Sequence, residues 1–345
     1  TLQTRGVASK KKPTEQVTKQ TWAVVVGISD YQNDQIPDLK FAHKDAEQFV
    51  DYLKSSSGGG IPESHVKTLL NEDATKGQIC SAFDWVEESC QKGDKVVIYF
   101  SGHGDVETTL DKEEGFFLTY DTSPNNYVGG AFKLSWLQEI ISELSTEKDA
   151  KVVVISDACR SGNLAGNAIN GSALTASVLA QQFSNETKIL SCQPDELSVE
   201  GNQWGGGRGC FSYHLLEGLS GKADADNDAS ISLFEIEKYL EDFVPKEAAP
   251  ISQIPFTTGN KKTKLFNVSM TNRKSKISKA RGEATPVVST NSFSAESKNN
   301  YDLFNKSIKD GHLLYPVNQS AEFYYKKLLS DPSLRNSYQD FTDQW

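Results

Sequence analysis

The chain has 345 residues, which is enough for one large domain and an appendage. No apolar run approaches the roughly 20 residues that a membrane-spanning helix needs. The net charge is −10, but residues 1–20 carry +4 and residues 261–281 carry +8, which leaves −22 for the remainder. So acidic a body favours cationic peptides or metal ions as partners and argues against nucleic acid. We interpret the two basic stretches as solvated tails.

Apolar runs and amphipathic segments alternate along most of the chain. Buried strands are predicted at Trp22–Ile28, Val66–Leu70, Lys95–Phe100, Lys151–Ile155 and Lys188–Cys192, with a small hairpin element at Gly115–Tyr120. Helices are predicted at Phe41–Leu53, Thr75–Cys90, Leu134–Leu144, Phe211–Leu219 and Leu233–Phe243. The alternation predicts an α/β fold, in which a mostly parallel sheet carries helices on both faces.

Four regions follow from these patterns. Residues 1–20 are a flexible basic segment, 21–270 form the α/β domain, and 271–300 are a polar linker without apolar periodicity. Residues 301–345 are predicted to form a helical hairpin that docks on the domain or on a partner.

The five cysteines show no CxxC spacing, which argues against a zinc cage. Their odd number favours a reducing compartment, and so a cytoplasmic location, although a processed secreted form stays open.

One cysteine and one histidine follow buried strands directly. Cys159 comes after the run Val152–Ile155, and His103 lies between two glycines after Lys95–Phe100. Ligands of open α/β sheets bind at the carboxyl ends of the strands. A cysteine attacks a carbonyl as a thiolate and needs a nearby imidazole, so we interpret the pair as nucleophile and base. The alternative for Cys159 is a small core residue.

The sequences SGHG (Ser101–Gly104) and DACRSG (Asp157–Gly162) in these strand contexts resemble the caspase-like cysteine peptidases, specifically the metacaspase branch. The likeness runs from Trp22 to about Val268. It implies a three-layer caspase-hemoglobinase fold, an acyl-enzyme on Cys159 and acid/base catalysis by His103. It also implies an oxyanion hole made by the N–H groups of Gly104 and Cys159, and a Cys-His dyad without a third carboxylate. No cofactor is needed for this chemistry.

Substrate preference follows from two acids. Asp157 stands where animal caspases have a pocket glutamine, and Glu200 stands where they have a pocket arginine. Two carboxylates would favour Arg or Lys at P1, the residue before the cleaved bond, in protein or peptide substrates. The alternatives are a strand-end cap for Asp157 and a surface acid for Glu200. Residues 161–187 contain no Arg, Lys or Asp, so we expect an enzyme of one uncut chain, working as a monomer.

An acidic stretch matches the ligand positions of an EF-hand calcium loop. Positions 1, 3, 5, 7, 9 and 12 are occupied by Asp224, Asp226, Asp228, Ser230, Ser232 and Glu235. Ala229 departs from the glycine usual at the sixth position, and an acidic turn that caps the following helix is an equal alternative. Metacaspases often require Ca²⁺ through another region, to which Asp111–Glu114 is only loosely similar.

Two other functions remain open. A protease-fold scaffold would have lost its catalysis and would use the tail to recruit partners. A thioesterase or acyl transferase would need a deep apolar tunnel in place of an acidic pocket.

Overall fold

The computed structural model describes residues 19–109, 112–124, 126–158, 186–193 and 196–268. All of them belong to one unit, Thr1–Arg281. The predicted helical tail, the linker and residues 1–18 of the basic N-terminal segment lie outside the described residues. So does the stretch 159–185 that follows the Lys151 strand. No helix within the described ranges is long and apolar enough to cross a membrane.

The first half of the domain alternates between strands and helices. Its elements are β1 (Thr21–Gly27), α1 (Ala42–Lys54), β2 (Val66–Leu70), α2 (Lys76–Ser89), β3 (Lys95–Gly102), β4 (Gly104–Thr109), β5 (Lys112–Phe117), α3 (Tyr127–Gly130), β6 (Phe132–Lys133) and α4 (Leu134–Ser142). The second half contains β7 (Lys151–Ala158), β8 (Glu186–Leu190), β9 (Glu200–Gly201), β10 (Arg208–Gly209), α5 (Cys210–Glu217), β11 (Ser230–Ser232), α6 (Leu233–Ala248), β12 (Phe256–Thr258) and β13 (Lys264–Asn267).

A six-stranded sheet in the order β12-β8-β7-β3-β1-β2 forms the centre of the domain. Five of its strands are parallel, and only β12 runs antiparallel, at the edge. The run Val152–Ile155 of β7 is at most 3% exposed, as expected for a strand covered on both faces. The predicted α/β fold is confirmed.

Helices cover both faces of this sheet. On one face Val97, Tyr99 and Val153 share a core with residues of α1, α5 and α6. On the other, Val96 and Val154 pack in a core with residues of α2 and α4. Alternation along each strand thus produces two cores, because successive side chains point to opposite faces.

Two boundaries differ from the predictions for physical reasons. Strand β8 begins at Glu186, two residues earlier than its apolar run, because the buried side chains of Glu186 and Lys188 form an ion pair with an N–O distance of 2.9 Å. Part of the second basic stretch belongs to the domain: Lys264 begins β13 and pairs with Asp228 at 2.7 Å. Lys261 pairs with Glu237. Both lysines thus pair with acids of the domain, although their side chains stay 63% and 42% exposed.

Candidate active site

Strands β3 and β7 bring the two sequence motifs together. They are parallel neighbours, with Ser101 beside Asp157 and Gly102 beside Ala158. His103 follows Gly102, and Cys159 follows Ala158 in the chain. Cys159 itself lies outside the described residues, so its role stays a prediction. Neighbouring strands lie about 4.8 Å apart, so the carboxyl ends of β3 and β7 lie side by side at the same edge of the sheet.

The His103 side chain is buried and held on two sides. Its Nε2 lies 2.8 Å from the carbonyl oxygen of Pro37, and its ring stacks on Tyr31 with the centroids 5.1 Å apart. Its backbone N–H donates to the Tyr31 hydroxyl at 2.8 Å. A carbonyl oxygen can only accept, so Nε2 carries the proton in this contact. These contacts fix the orientation of the ring and the tautomer of neutral His103.

Close packing around Tyr31 explains a glycine of the SGHG motif. A Cβ atom at Gly102 would lie 3.1 Å from the Tyr31 hydroxyl and 3.1 Å from the Phe100 ring. Glycine therefore lets Tyr31 reach the His103 backbone. The contact with Pro37 could not be predicted from the sequence, because it uses a backbone carbonyl and every residue has one.

The buried Asp157 carboxylate accepts two hydroxyl hydrogen bonds. The Ser198 hydroxyl donates to Oδ1 at 2.5 Å, and the Ser212 hydroxyl, from α5, donates to Oδ2 at 2.6 Å. Burial raises the pKa of Asp157 despite these bonds, which act in the opposite direction. Among the described residues, no lysine or arginine forms an ion pair with it. The hydrogen bonds thus hold the Asp157 carboxylate in place, but no described cation pairs with it.

A second buried carboxylate lies next to Asp157. Asp45 pairs with the Nε of Arg208 and accepts the Gly209 N–H at 2.8 Å. A Cβ atom at Gly209 would lie 2.8 Å from Asp157 Oδ2 and 3.0 Å from Asp45 Oδ2. The two carboxylates therefore flank Gly209. We call Asp45, Asp157 and Arg208 the acidic cluster.

Burial raises the pKa of Asp45 to about 7, while the Arg208 guanidinium lowers it and Asp157 raises it further. Neither Asp45 nor Arg208 was predicted as a site residue. A signal for Asp45 existed: it lies on the apolar stripe of α1 with Ala42, Ala46 and Phe49. A lone acid on such a stripe needs a buried partner. The partner could not be found in the sequence, because Arg208 is 163 residues away.

Two other predicted site residues have different surroundings. The Glu200 carboxylate accepts the backbone N–H groups of Lys40 at 2.9 Å and of Phe41 at 3.0 Å, just before α1. These contacts anchor the start of α1, and the pocket role of Glu200 stays a prediction. Gly104 is the first residue of β4 and lies opposite Phe117 of β5. The oxyanion role of Gly104 and Cys159 also stays a prediction.

Three of the six predicted calcium ligands come together. One carboxylate oxygen each from Asp224, Asp226 and Glu235 lies within 4.8 Å of the other two. Asp224 and Asp226 lie between α5 and α6, and Glu235 lies in the first turn of α6; we call residues 224–235 the acidic loop.

The other three are engaged elsewhere. Asp228 accepts from the Lys264 ammonium group at 2.7 Å and from the Ser230 hydroxyl at 2.6 Å. The Ser232 hydroxyl shares a capping box with Glu235 at the start of α6. The helix cap of the alternative interpretation is thus present, and the calcium site stays a prediction.

Comparison with known families agrees with this geometry. The profile of the caspase domain family matches residues 20–267. The chain belongs to this family. A probable protease from a Desulfuromonadales bacterium is 25% identical over 259 residues, which cover 68% of this chain and 31% of that protein. Metacaspase-2 of Arabidopsis thaliana is 31% identical over 150 residues, which cover 41% of this chain and 34% of that protein.

The chain thus spans about a third of the length of these curated relatives. Among solved structures, protein GSU0716 of Geobacter sulfurreducens matches with a TM-score of 0.50 and 18% identity, over 72% of this chain and all of that one. This last likeness concerns the fold alone. The family assignment supports a peptidase domain, as the sequence motifs suggested.

Proposed function

We propose that the chain is a cysteine endopeptidase that cleaves after Arg or Lys, with Cys159 as nucleophile and His103 as acid/base. The main support is the orientation of His103. Its Nε2 lies 2.8 Å from the Pro37 carbonyl oxygen, so Nδ1 is the ring nitrogen that we propose to exchange protons. His103 also lies one residue beyond the Gly102–Ala158 pair, and Cys159 follows Ala158 in the sequence.

The proposed reaction has two steps. The Cys159 thiolate attacks the scissile carbonyl, and the N–H groups of Gly104 and Cys159 stabilise the oxyanion. Collapse forms a thioester and breaks the C–N bond, and the proton on His103 Nδ1 passes to the leaving amine. His103 then takes a proton from water, whose oxygen attacks the thioester and releases the acid product. The returned proton restores the Cys159–His103 pair.

Asp157 is the proposed determinant for a basic P1 residue. The Ser198 and Ser212 hydroxyls hold one oxygen each, and neither brings a positive charge that would compensate the carboxylate before an Arg or Lys side chain binds. Arg208 compensates the charge of Asp45 but does not pair with Asp157. One carboxylate of the acidic cluster therefore has no counter-charge before substrate binds, and a P1 aspartate would be repelled.

The test combines peptide cleavage with covalent labelling by an electrophile that carries arginine. Arg-P1 and Lys-P1 reporters should be cleaved, and Cys159→Ala and His103→Ala should each lower kcat by about 10³-fold or more. The control Cys80→Ala, which removes a free thiol on α2, should leave labelling unchanged.

Two outcomes would overturn parts of the proposal. Absence of both turnover and labelling in the intact chain would favour the catalytically inactive scaffold. Equal cleavage of Asp-P1 and Arg-P1 reporters would exclude the basic preference.

The proposal includes action as one uncut monomeric chain. Residues 161–187 offer no basic cleavage site, so self-cleavage should be confined to basic positions such as Lys10–Lys12 or the basic stretch Lys261–Arg281. Mass spectrometry of the stored enzyme, with Cys159→Ala as control, should find the segment 161–187 intact. A self-inflicted cut within it would contradict the proposal.

A further inference from the structure

We propose that Asp224, Asp226 and Glu235 of the acidic loop bind one Ca²⁺ ion between α5 and α6. The ion would stabilise this corner of the domain. The proposal does not depend on the peptidase chemistry, and its test measures the ion directly.

The buried carboxylate of Asp224 is the observation that points to a ligand. Asp224 is 5% exposed, and its Oδ1 has no hydrogen-bond partner among the described residues. Burying a carboxylate oxygen without a hydrogen-bond donor is unfavourable, so such groups are usually paired or coordinate metals. The Asp226 and Glu235 oxygens within 4.8 Å cannot donate a hydrogen bond when ionised, whereas a cation among the three would satisfy them all.

Glu235 is prepared to act as an anionic ligand. The N–H groups of Ala225 and Ser232 donate to its two oxygens, at 3.0 Å and 2.9 Å. Its carboxylate is therefore held in place on the first turn of α6.

The donor set favours Ca²⁺ over other common ions. All three ligands are carboxylate oxygens, which suit hard cations, and the described residues place no cysteine or histidine in the cluster. The loop is irregular, with Asn227 at φ 61° and Ala229 at φ 66°. Ca²⁺ accepts such variable geometry, whereas Mg²⁺ requires a near-ideal octahedron.

The structure also predicts modest affinity. Asp228, the fifth position of the EF-hand pattern, pairs with Lys264 and lies outside the cluster, so three carboxylates and solvent must complete the coordination. We expect a dissociation constant of about 10⁻⁵ to 10⁻³ M, the range of weaker oxygen-ligand sites.

The experiment is calorimetric titration of the full, chelator-treated chain with CaCl₂ and with MgCl₂, together with thermal unfolding in each salt. One Ca²⁺ should bind per chain and raise Tm, with Mg²⁺ binding more weakly. Asp224→Asn and Asp226→Asn should each weaken Ca²⁺ binding by about tenfold or more, because ligand charge sets the affinity of such sites. Asp242→Asn, an exposed acid on α6, is the matched control and should bind like the wild type.

A second readout separates a metal site from a helix cap. Without Ca²⁺, Asp224→Asn should melt no lower than the wild type, because it removes an unpaired buried charge. Asp226 is exposed, so Asp226→Asn will fold even if Asp224→Asn does not. Absence of Ca²⁺ binding to the wild type, or unchanged binding to Asp226→Asn, would overturn the proposal. Failure of peptide cleavage would leave these titrations unaffected.

Discussion

The acidic cluster and the acidic loop both bury carboxylates, but the contacts of these carboxylates differ. In the acidic cluster, Asp45 pairs with Arg208 and the Gly209 amide, and Asp157 accepts hydroxyl hydrogen bonds on both oxygens. In the acidic loop, one oxygen of the buried Asp224 has no donor within the described part of the chain. The first region holds both carboxylates in place before any ligand arrives, with a counter-charge for Asp45 only. In the second region the described cation Lys264 pairs with Asp228, and the proposed Ca²⁺ ion would compensate the three converging carboxylates.

This difference follows from the elements that carry the acids. Asp45 and Asp157 lie on α1 and β7, whose packing fixes them before a substrate binds, so little energy is spent on ordering them. Asp224 lies between helices in a loop whose backbone departs from regular structure. A rigid site can serve catalysis and specificity, whereas a loop completed by an ion can respond to the ion concentration.

The largest expected effect comes from removing the counter-charge in the acidic cluster. Arg208→Met leaves Asp45 buried without its cation, and should lower the free energy of unfolding by about 3–5 kcal/mol at pH values above about 8, where Asp45 is ionised in the wild type because its pKa is about 7. Urea unfolding measures the loss. The loss should shrink as the pH falls through about 7, because protonated Asp45 needs no cation. Lys238→Met, which breaks the exposed pair with Glu241, is the control and should cost about 0.5 kcal/mol or less.

Removing the charge of Asp157, which no cation of the acidic cluster compensates, should affect substrate binding more than folding. Asp157→Asn should lower kcat/KM for an Arg-P1 peptide by about 100-fold, since a desolvated ion pair is worth at least 2 kcal/mol. Reporter kinetics on matched Arg-P1 and Gln-P1 peptides provide the measurement, and the Arg preference should largely disappear. Equal losses on both peptides would instead indicate a structural role for Asp157.

A smaller effect is expected at the support of His103. Tyr31→Phe removes the hydroxyl that accepts the buried His103 N–H, and should cost about 1–2 kcal/mol of stability. Because the ring of His103 would be less well oriented, kcat should fall more than KM rises. Parallel unfolding and peptidase assays test this, with Tyr213→Phe on α5 as control. Unchanged kcat in Tyr31→Phe would argue against a positioning role.

The smallest effect concerns the backbone of the acidic loop. Ala229 adopts a left-handed conformation, which is unfavourable for a residue with a Cβ atom. Ala229→Gly should therefore stabilise the chain by about 0.5–1 kcal/mol and tighten Ca²⁺ binding, although glycine also makes the unfolded chain more flexible. Thermal unfolding with and without Ca²⁺ measures both effects. Destabilisation would show that the loop does not favour this conformation.

Much of the fold was predictable because its signals are local. The apolar run Val152–Ile155 and the spacing of Phe49, Val50 and Leu53 indicate a buried strand and an amphipathic helix without knowledge of their partners. Short strands such as β10 and β11 were not predicted, because two or three residues are too few to show a periodic pattern of apolar side chains. Strand β8 was predicted two residues too far along the chain, since the charge of Glu186 gave no sign that it is buried in an ion pair with Lys188.

The features of the site also fall into two groups: those that the sequence indicates and those that depend on tertiary packing. The position of His103 and Cys159 after buried strands is a property of the sequence, because the ends of β3 and β7 are visible in the hydrophobic pattern. The Pro37 carbonyl, the Asp45–Arg208 pair and the two hydroxyls on Asp157 depend on residues distant in the chain, and only tertiary packing brings them within hydrogen-bond distance. The acidic loop lies between these cases. Its spacing suggested six ligands, but only the folded chain separates the three converging carboxylates from Asp228, because Lys264 reaches Asp228 across the β11–β13 pair.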